Sequence, residues 1–284
     1  MKSRLHYYFC GLAVGAADLV PGISGGTIAF VLGIYPRLLN AIEAFNLEFF
    51  KHVLRFRLRE ASTLIPWAFL LPLLVGVGTS IFSLARAVTY VLATYPITIW
   101  SFFFGLMVSS ILHLGKSLEP YRVTTWLGFV AGAACGWFLG GASVTDIGQS
   151  LPTYFISGFI AICAMILPGI SGAFILVLLG QYAHVIRAVA TLDIPVLVVF
   201  AFGCVCGLMT FARVLNRLLA YSPNVVMAVL TGLMLGSLRT IWPWKHENFP
   251  VLPPAIDSDV VVGTVLCLLG MALPSGLALL ARRK

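Results

Sequence analysis

Pro21-Gly22-Ile23-Ser24-Gly25-Gly26 recurs as Pro168-Gly169-Ile170-Ser171-Gly172-Ala173, and each copy lies inside an apolar stretch. Each is followed at the same distance by Leu-Gly-x-Tyr, as Leu32-Gly33-Ile34-Tyr35 and Leu179-Gly180-Gln181-Tyr182. Proline removes a backbone donor and interrupts a helix, while glycine opens conformations closed to other residues. A helix-breaking motif used twice in apolar surroundings predicts a membrane protein whose working site is built from broken helices.

The motifs are the centre of a longer internal repeat. Pro21 pairs with Pro168, Gly11 with Gly158, Gly33 with Gly180 and Tyr35 with Tyr182 at a constant offset of 147. Further on, Arg86 and Arg213, Pro96 and Pro223, and Gly105-Leu106-Met107 and Gly232-Leu233-Met234 pair at an offset of 127. The halves therefore differ by a 20-residue insertion in the first, between Asn40 and about Pro66. The inserted Glu48–Glu60 stretch mixes bulky apolar side chains with Lys51, Arg55, Arg57 and Arg59, a composition suited to an interfacial helix. A weaker match, Gly128 with Gly263, extends each half by one more apolar helix.

Composition agrees with a bilayer. Of 284 residues, 60% are hydrophobic and 10% charged, and the mean hydropathy is +1.01. The net charge of +8 comes from basic residues in short loops, so a positive-inside bias explains it and no nucleic-acid partner is expected. All six cysteines lie in apolar segments without metal-ligand companions; they read as small buried hydrophobes, and no cofactor or metal is expected. Lys2 and Arg4 before an apolar run resemble a signal peptide, but the recurrence of the motif at residue 168 argues for a retained structural segment.

Loop charge predicts the topology. Basic residues both precede and follow the first apolar stretch, so residues 9 to 36 read as a re-entrant hairpin entered from the cytoplasm. Spans near 64–85, 96–114 and 125–142 then lead outside, to a loop around Asp146 without Lys or Arg. A second hairpin over about 155–182 enters from outside, and spans near 195–212, 222–240 and 260–281 return Arg282-Arg283-Lys284 to the cytoplasm. Three crossings per half orient the copies oppositely. The expected architecture is thus an all-α polytopic membrane protein with an inverted-topology repeat, each half a re-entrant hairpin plus about three transmembrane helices. It forms one domain over 1–284: repeat one at about 5–145, with a cytoplasmic insertion at about 41–65, and repeat two at about 152–284. Both termini are expected in the cytoplasm.

Half-helices that start near Ser24 and Ser171 present free N–H groups and the positive end of a dipole, and such ends attract anions. The expected phosphate-binding set is Gly22, Ser24, Gly25, Gly26 and Thr27 from the first copy, Gly169, Ser171 and Gly172 from the second, and the duplicated Arg86 and Arg213. Two plainer readings stand beside it: a serine or threonine in a membrane helix can bond to a carbonyl one turn back, and an arginine near a span end can snorkel to headgroups. Asp18 is the acidic residue inside an apolar segment, and its counterpart is Met165. It either pairs with an arginine, cycles a proton during transport, or caps the adjoining half-helix.

Asp18-Leu19-Val20-Pro21-Gly22-Ile23-Ser24-Gly25-Gly26-Thr27, its second copy and the spacing to Leu-Gly-x-Tyr resemble the bacterial PopT family over essentially the whole chain. That resemblance implies translocation of undecaprenyl phosphate from the outer to the cytoplasmic leaflet of the inner membrane, recycling the carrier for peptidoglycan and other envelope polymers. It implies a lipid-carrier flippase with no catalytic residues, working by alternating access, with undecaprenyl phosphate and membrane lipids as partners and a proton or sodium as coupling ion. The second copy departs from the first by lacking the aspartate and by carrying Ala173 where Gly26 stands. Two rivals remain. A membrane polyprenyl-pyrophosphate phosphatase resembles a motif with arginine straight after the serine, where this chain has Gly25 and Gly172; a small-anion transporter or channel would use the same half-helix ends.

Overall fold

The computed structural model describes residues 2–20, 23–116, 118, 122–246, 249–253 and 257–282. The first half opens with α1 (Lys2–Asp18), a break, and two short helices, α2 (Gly25–Val31) and α3 (Tyr35–Glu43). The insertion forms α4 (Leu47–Leu54) and α5 (Leu58–Leu64), followed by α6 (Trp67–Thr94), α7 (Pro96–Gly115) and α8 (Val123–Gly140). The second half repeats the order with α9 (Leu151–Ile166), α10 (Gly172–Leu178), α11 (Tyr182–Thr191), α12 (Ile194–Tyr221), α13 (Pro223–Ser237) and α14 (Ser258–Arg282). A 3-10 turn, Leu238–Ile241, prolongs α13, and the two-residue strands β1 (Lys245–His246) and β2 (Phe249–Pro250) pair antiparallel before α14.

The repeat offsets are reproduced in the helix ends. Shifting α2 by 147 gives the bounds of α10, and shifting α6 by 127 gives those of α12. Among the described residues, α6, α7, α8, α12 and α13 with its 3-10 turn are long and apolar enough to cross a membrane. Their outer faces carry Leu71, Phe82, Phe138, Val198 and Phe202, all exposed, whereas Ser24, Thr27, Ser80, Ser157, Gln181 and Thr231 are buried. Apolar outside and polar within is the pattern expected when lipid is the solvent. The protein is a multi-pass membrane protein.

Tight helix pairs organise the bundle, and in each pair residue numbers rise together. Gly11 backs onto Leu73 and Gly15 onto Val77, so α1 and α6 run parallel. Phe155 meets Gly203 and Phe159 meets Gly207 in the matching pair, α9 with α12. Across the halves, Gly128, Gly132 and Gly136 of α8 meet Val225, Val229 and Leu233 of α13, while Ser101 and Gly105 of α7 meet Gly263 and Cys267 of α14. Glycines four apart remove side chains along one stripe and let two backbones touch. At Gly232 a Cβ atom would lie 2.1 Å from the Phe129 carbonyl oxygen, so a larger residue forces these helices apart.

Because α1 and α6 point the same way, α2 and α3 between them return the chain towards its starting level. The hairpin is longer than the 9–36 read from sequence, running from Lys2 to Glu43. Leu-Gly-x-Tyr is not its exit but a bend within the returning arm, built on Gly33 (φ 70°) and Gly180 (φ 67°), a left-handed conformation that favours glycine. In the second half α10 and α11 meet there at 107°. α6 and α12 are longer than expected, reaching Thr94 and Tyr221, so Arg86 and Arg213 fall two turns inside these helices. Of the insertion, α4 buries no residue, and Leu54 and Phe56 stand exposed beside Lys51 and Arg55.

Candidate functional site

The two broken motifs meet, and side chains of the first close onto the backbone of the second. Ser24 Oγ donates to the Met165 carbonyl at 2.6 Å, and Tyr35 Oη donates to the Ile166 carbonyl at 3.0 Å. These two carbonyls end α9, where the break leaves them without helical partners. In the other direction, the Gly169 N–H donates to Thr27 Oγ1 at 2.8 Å. Gly26 lies at the point of closest approach, where a Cβ would sit 2.7 Å from both the Met165 and Ile166 carbonyl oxygens. Its counterpart Ala173 carries a Cβ, so the seam is tight on one side only.

Ser24 also caps α2, accepting the Gly26 N–H at 3.1 Å, and the Gly25 N–H donates to Asp18 Oδ1 at 2.6 Å. Asp18 thus sits on the positive end of α2, where the sequence places a phosphate. Of the three readings of this carboxyl, the cap is the contact observed, and no arginine pairs with it among the described residues. On the first motif the expected donors are thus partnered within the hairpin: Asp18, seven residues upstream, takes the Gly25 N–H, and Ser24 takes the Gly26 N–H. On α10 no side chain caps the helix; Ser171 is buried and its hydroxyl has no hydrogen bond among the described residues.

Each motif borders its own cavity. One of about 150 Å³, room for several waters, is lined by Asp18, Gly25, Gly26, Tyr35, Met165 and Leu208 among others. The other, of about 10 Å³, lies against Gly169, Ser171, Gly136 and Ser237. Neither lining contains a lysine or arginine.

Ser24, Gly25, Gly26, Thr27, Gly169, Ser171 and Gly172 are thus brought to one locus, Gly172 packing on the Ala161 carbonyl. Gly22 lies outside the described residues, as does Pro21. Arg86 and Arg213 do not join the locus. Arg86 is exposed on α6, Arg213 half-buried on α12, and neither has an ion pair or hydrogen bond among the described residues.

Two features went unread in the sequence. Tyr35 marked the repeat but was not expected to bind across the seam; its acceptor is a main-chain carbonyl, which no side-chain pattern announces. A polar cluster also lies below the hairpin, where Asn216 Nδ2 donates to Asn40 Oδ1 at 2.8 Å and to Glu43 Oε2 at 2.6 Å. It borders a groove of about 570 Å³ that continues to Arg217 and Met227. Asn40 and Asn216, both near the ends of apolar segments, were the available signal.

The family model described as undecaprenyl phosphate translocase-like matches residues 14–251, from within α1 to just past β2 and across both motifs. The chain belongs to the undecaprenyl phosphate translocase-like family. It is 47% identical over 245 residues to a polyprenyl-phosphate transporter of Vibrio cholerae serotype O1, covering 85% of this chain and 79% of the relative. A polyprenyl-phosphate transporter of Staphylococcus aureus is 30% identical over 258 residues, covering 84% and 86%. No solved structure matches the chain. Both duplicated motifs lie within the matched residues.

Proposed function

We propose that the protein carries undecaprenyl phosphate from the outer to the cytoplasmic leaflet of the bacterial inner membrane by alternating access at the hairpin seam. The family and the transporter names of both relatives supply the substrate class. The single observation that carries the mechanism is the meeting of two broken helices, with their hydroxyls, amides and one carboxyl, inside an otherwise apolar bundle. Polar backbone at membrane depth is tolerated only where protein or a watery cavity surrounds it, and it marks ion and substrate paths.

Opposite orientation of the halves is supported by the parallel pairs. α13 is the counterpart of α7 yet runs parallel to α8; with α7 and α8 antiparallel across their short connection, this arrangement favours inverted repeats. In this topology both termini and the α4–α5 insertion face the cytoplasm, and the exposed Leu54, Phe56 and neighbouring basic residues rest on the anionic leaflet.

The headgroup enters the cavity beside Asp18 while the polyprenyl tail stays in lipid. Asp18 holds the α2 terminus as an internal anion, and phosphate replaces it once the carboxyl is protonated or withdrawn. No covalent step is required, and purified protein is expected to release no phosphate from a polyprenyl pyrophosphate. The amides of the two motifs, Ser24, Thr27 and Ser171 then bind the headgroup as their seam contacts open. Arg86 and Arg213, set away from the closed cavities, meet the phosphate on its way in or out, one at each membrane face.

The deciding experiment is a leaflet-resolved assay in proteoliposomes with labelled undecaprenyl phosphate under imposed proton and sodium gradients. The expected result is protein-dependent translocation that one gradient accelerates. Anion current without lipid movement would instead identify a channel. In the same assay Arg86→Gln and Arg213→Gln are each expected to lower transport at least tenfold, the loss of one charge-assisted phosphate contact. Normal rates in both variants refute the arginine gates.

A further inference from the structure

The seam is asymmetric even at positions where the two copies carry the same residue. Ser24 and Ser171 are repeat counterparts, as are Tyr35 and Tyr182, and the local backbone around them matches. Ile34 N–H bonds to the Ala29 carbonyl as Gln181 N–H bonds to that of Leu176, and Gly33 bonds to Phe30 as Gly180 bonds to Val177. The surroundings nevertheless differ: Tyr35 is 1% exposed and bonded to Ile166, whereas Tyr182 is 44% exposed with no hydrogen bond among the described residues. Ser24 is bonded to Met165, and Ser171 has no hydrogen bond from its hydroxyl among the described residues. The counterparts of the two acceptor carbonyls are those of Asp18 and Leu19, and no described side chain bonds to either. A two-fold seam between identical surfaces forms its contacts in reciprocal pairs. Here one member of each pair is made.

Resting on the alternating-access reading above, we propose that Tyr182 and Ser171 are positioning residues for the oppositely open state. In that state the hairpins exchange roles: Tyr182 Oη donates to the Leu19 carbonyl and Ser171 Oγ to that of Asp18, while Tyr35 and Ser24 release Ile166 and Met165. The exchange is iso-energetic in its bond count, two hydroxyl–carbonyl bonds for two, which suits a transporter that must populate both states. Thr27 cannot take part in the swap, because its counterpart is Phe174. Its bond to Gly169 therefore biases the protein towards the state described here.

The test uses the full-length protein in lipid. Hydrogen exchange compares residues 32–38 with 179–185 in wild type, Tyr35→Phe and Tyr182→Phe. Tyr35→Phe is expected to raise exchange in the first segment and lower it in the second, an equilibrium shift of roughly fivefold, the worth of one ordinary hydrogen bond. Tyr182→Phe removes no bond present in this state, so the resting exchange pattern stays as in wild type or shifts further towards it, yet transport falls by about the same factor. A Tyr35→Phe protein that loosens the first segment without protecting the second overturns the swap. So does a Tyr182→Phe protein that transports at the wild-type rate. The exchange arm needs no substrate: reciprocal protection without any lipid movement would retain the swap and reject the translocase reading.

Discussion

Replacing Asp18 by asparagine is expected to leave the protein folded and to abolish the dependence of transport on the driving gradient. The amide oxygen of asparagine can still accept the Gly25 N–H that Asp18 Oδ1 accepts at 2.6 Å, so the α2 cap survives. What is lost is the charge and the exchangeable proton. On the proposed mechanism, carboxylate and phosphate compete for the same amide at the same dipole end, and protonating Asp18 releases the place that the headgroup then takes. An uncharged residue competes weakly whatever the pH, so lipid still binds but the gradient no longer does work on it. Asp18→Ala separates the two roles: it loses the cap, costing about 1 kcal/mol, and the coupling together. Thermal unfolding in detergent and gradient-driven flux in proteoliposomes, measured on both variants, read the roles independently. Flux from Asp18→Asn that still follows pH as in wild type removes the coupling role and leaves the cap.

This carboxyl also marks where reading the sequence succeeds and where it stops. The repeat was legible because it is written in residues that dictate backbone: Pro168, Gly33 and Gly180 force breaks and bends whatever surrounds them. Spans were legible because lipid demands apolar length, and the offset of 127 carried α6 onto α12. The meeting of the two motifs was legible, but not the bonds that join them. Ser24 and Thr27 were expected to face a ligand, and they face main-chain groups of Met165 and Gly169 instead. An acceptor carbonyl belongs to every residue alike, so its position follows only from the packed fold. Arg86 and Arg213 join the expected set as duplicated charges near span ends, and they lie on α6 and α12 apart from the motifs. The glycines at 128, 132 and 136, spaced for close helix contact with α13, were a signal open to sequence reading that composition alone obscured.

Gly26→Ala is expected to be strongly damaging to transport, while Ala173→Gly at the matching position is mild. The added methyl at Gly26 would lie 2.7 Å from two carbonyl oxygens and 3.1 Å from Ser24 Oγ, and the first two belong to the backbone of α9, which cannot turn aside. The hairpins must separate by a few tenths of an ångström or more, and overpacking of this kind costs about 1–3 kcal/mol. Separation also stretches the Ser24–Met165 and Tyr35–Ile166 bonds, each worth about 1 kcal/mol net. Because these contacts hold one of the two states of the proposed cycle, the variant is expected to lose transport at least tenfold while retaining its helix content by circular dichroism. At Ala173 the methyl already exists, and its removal costs the packing of one carbon together with about 0.5–1 kcal/mol of helix propensity. Were the seam a scaffold with no part in transport, Gly26→Ala would lower stability but leave the flux per folded molecule near that of wild type; a tenfold loss of flux from protein that stays folded assigns this contact a part in transport. Combining Gly26→Ala with Tyr35→Phe then measures the coupling: a double variant little worse than Gly26→Ala alone means the methyl has already broken the tyrosine bond, whereas additive losses mean the two residues act on separate steps.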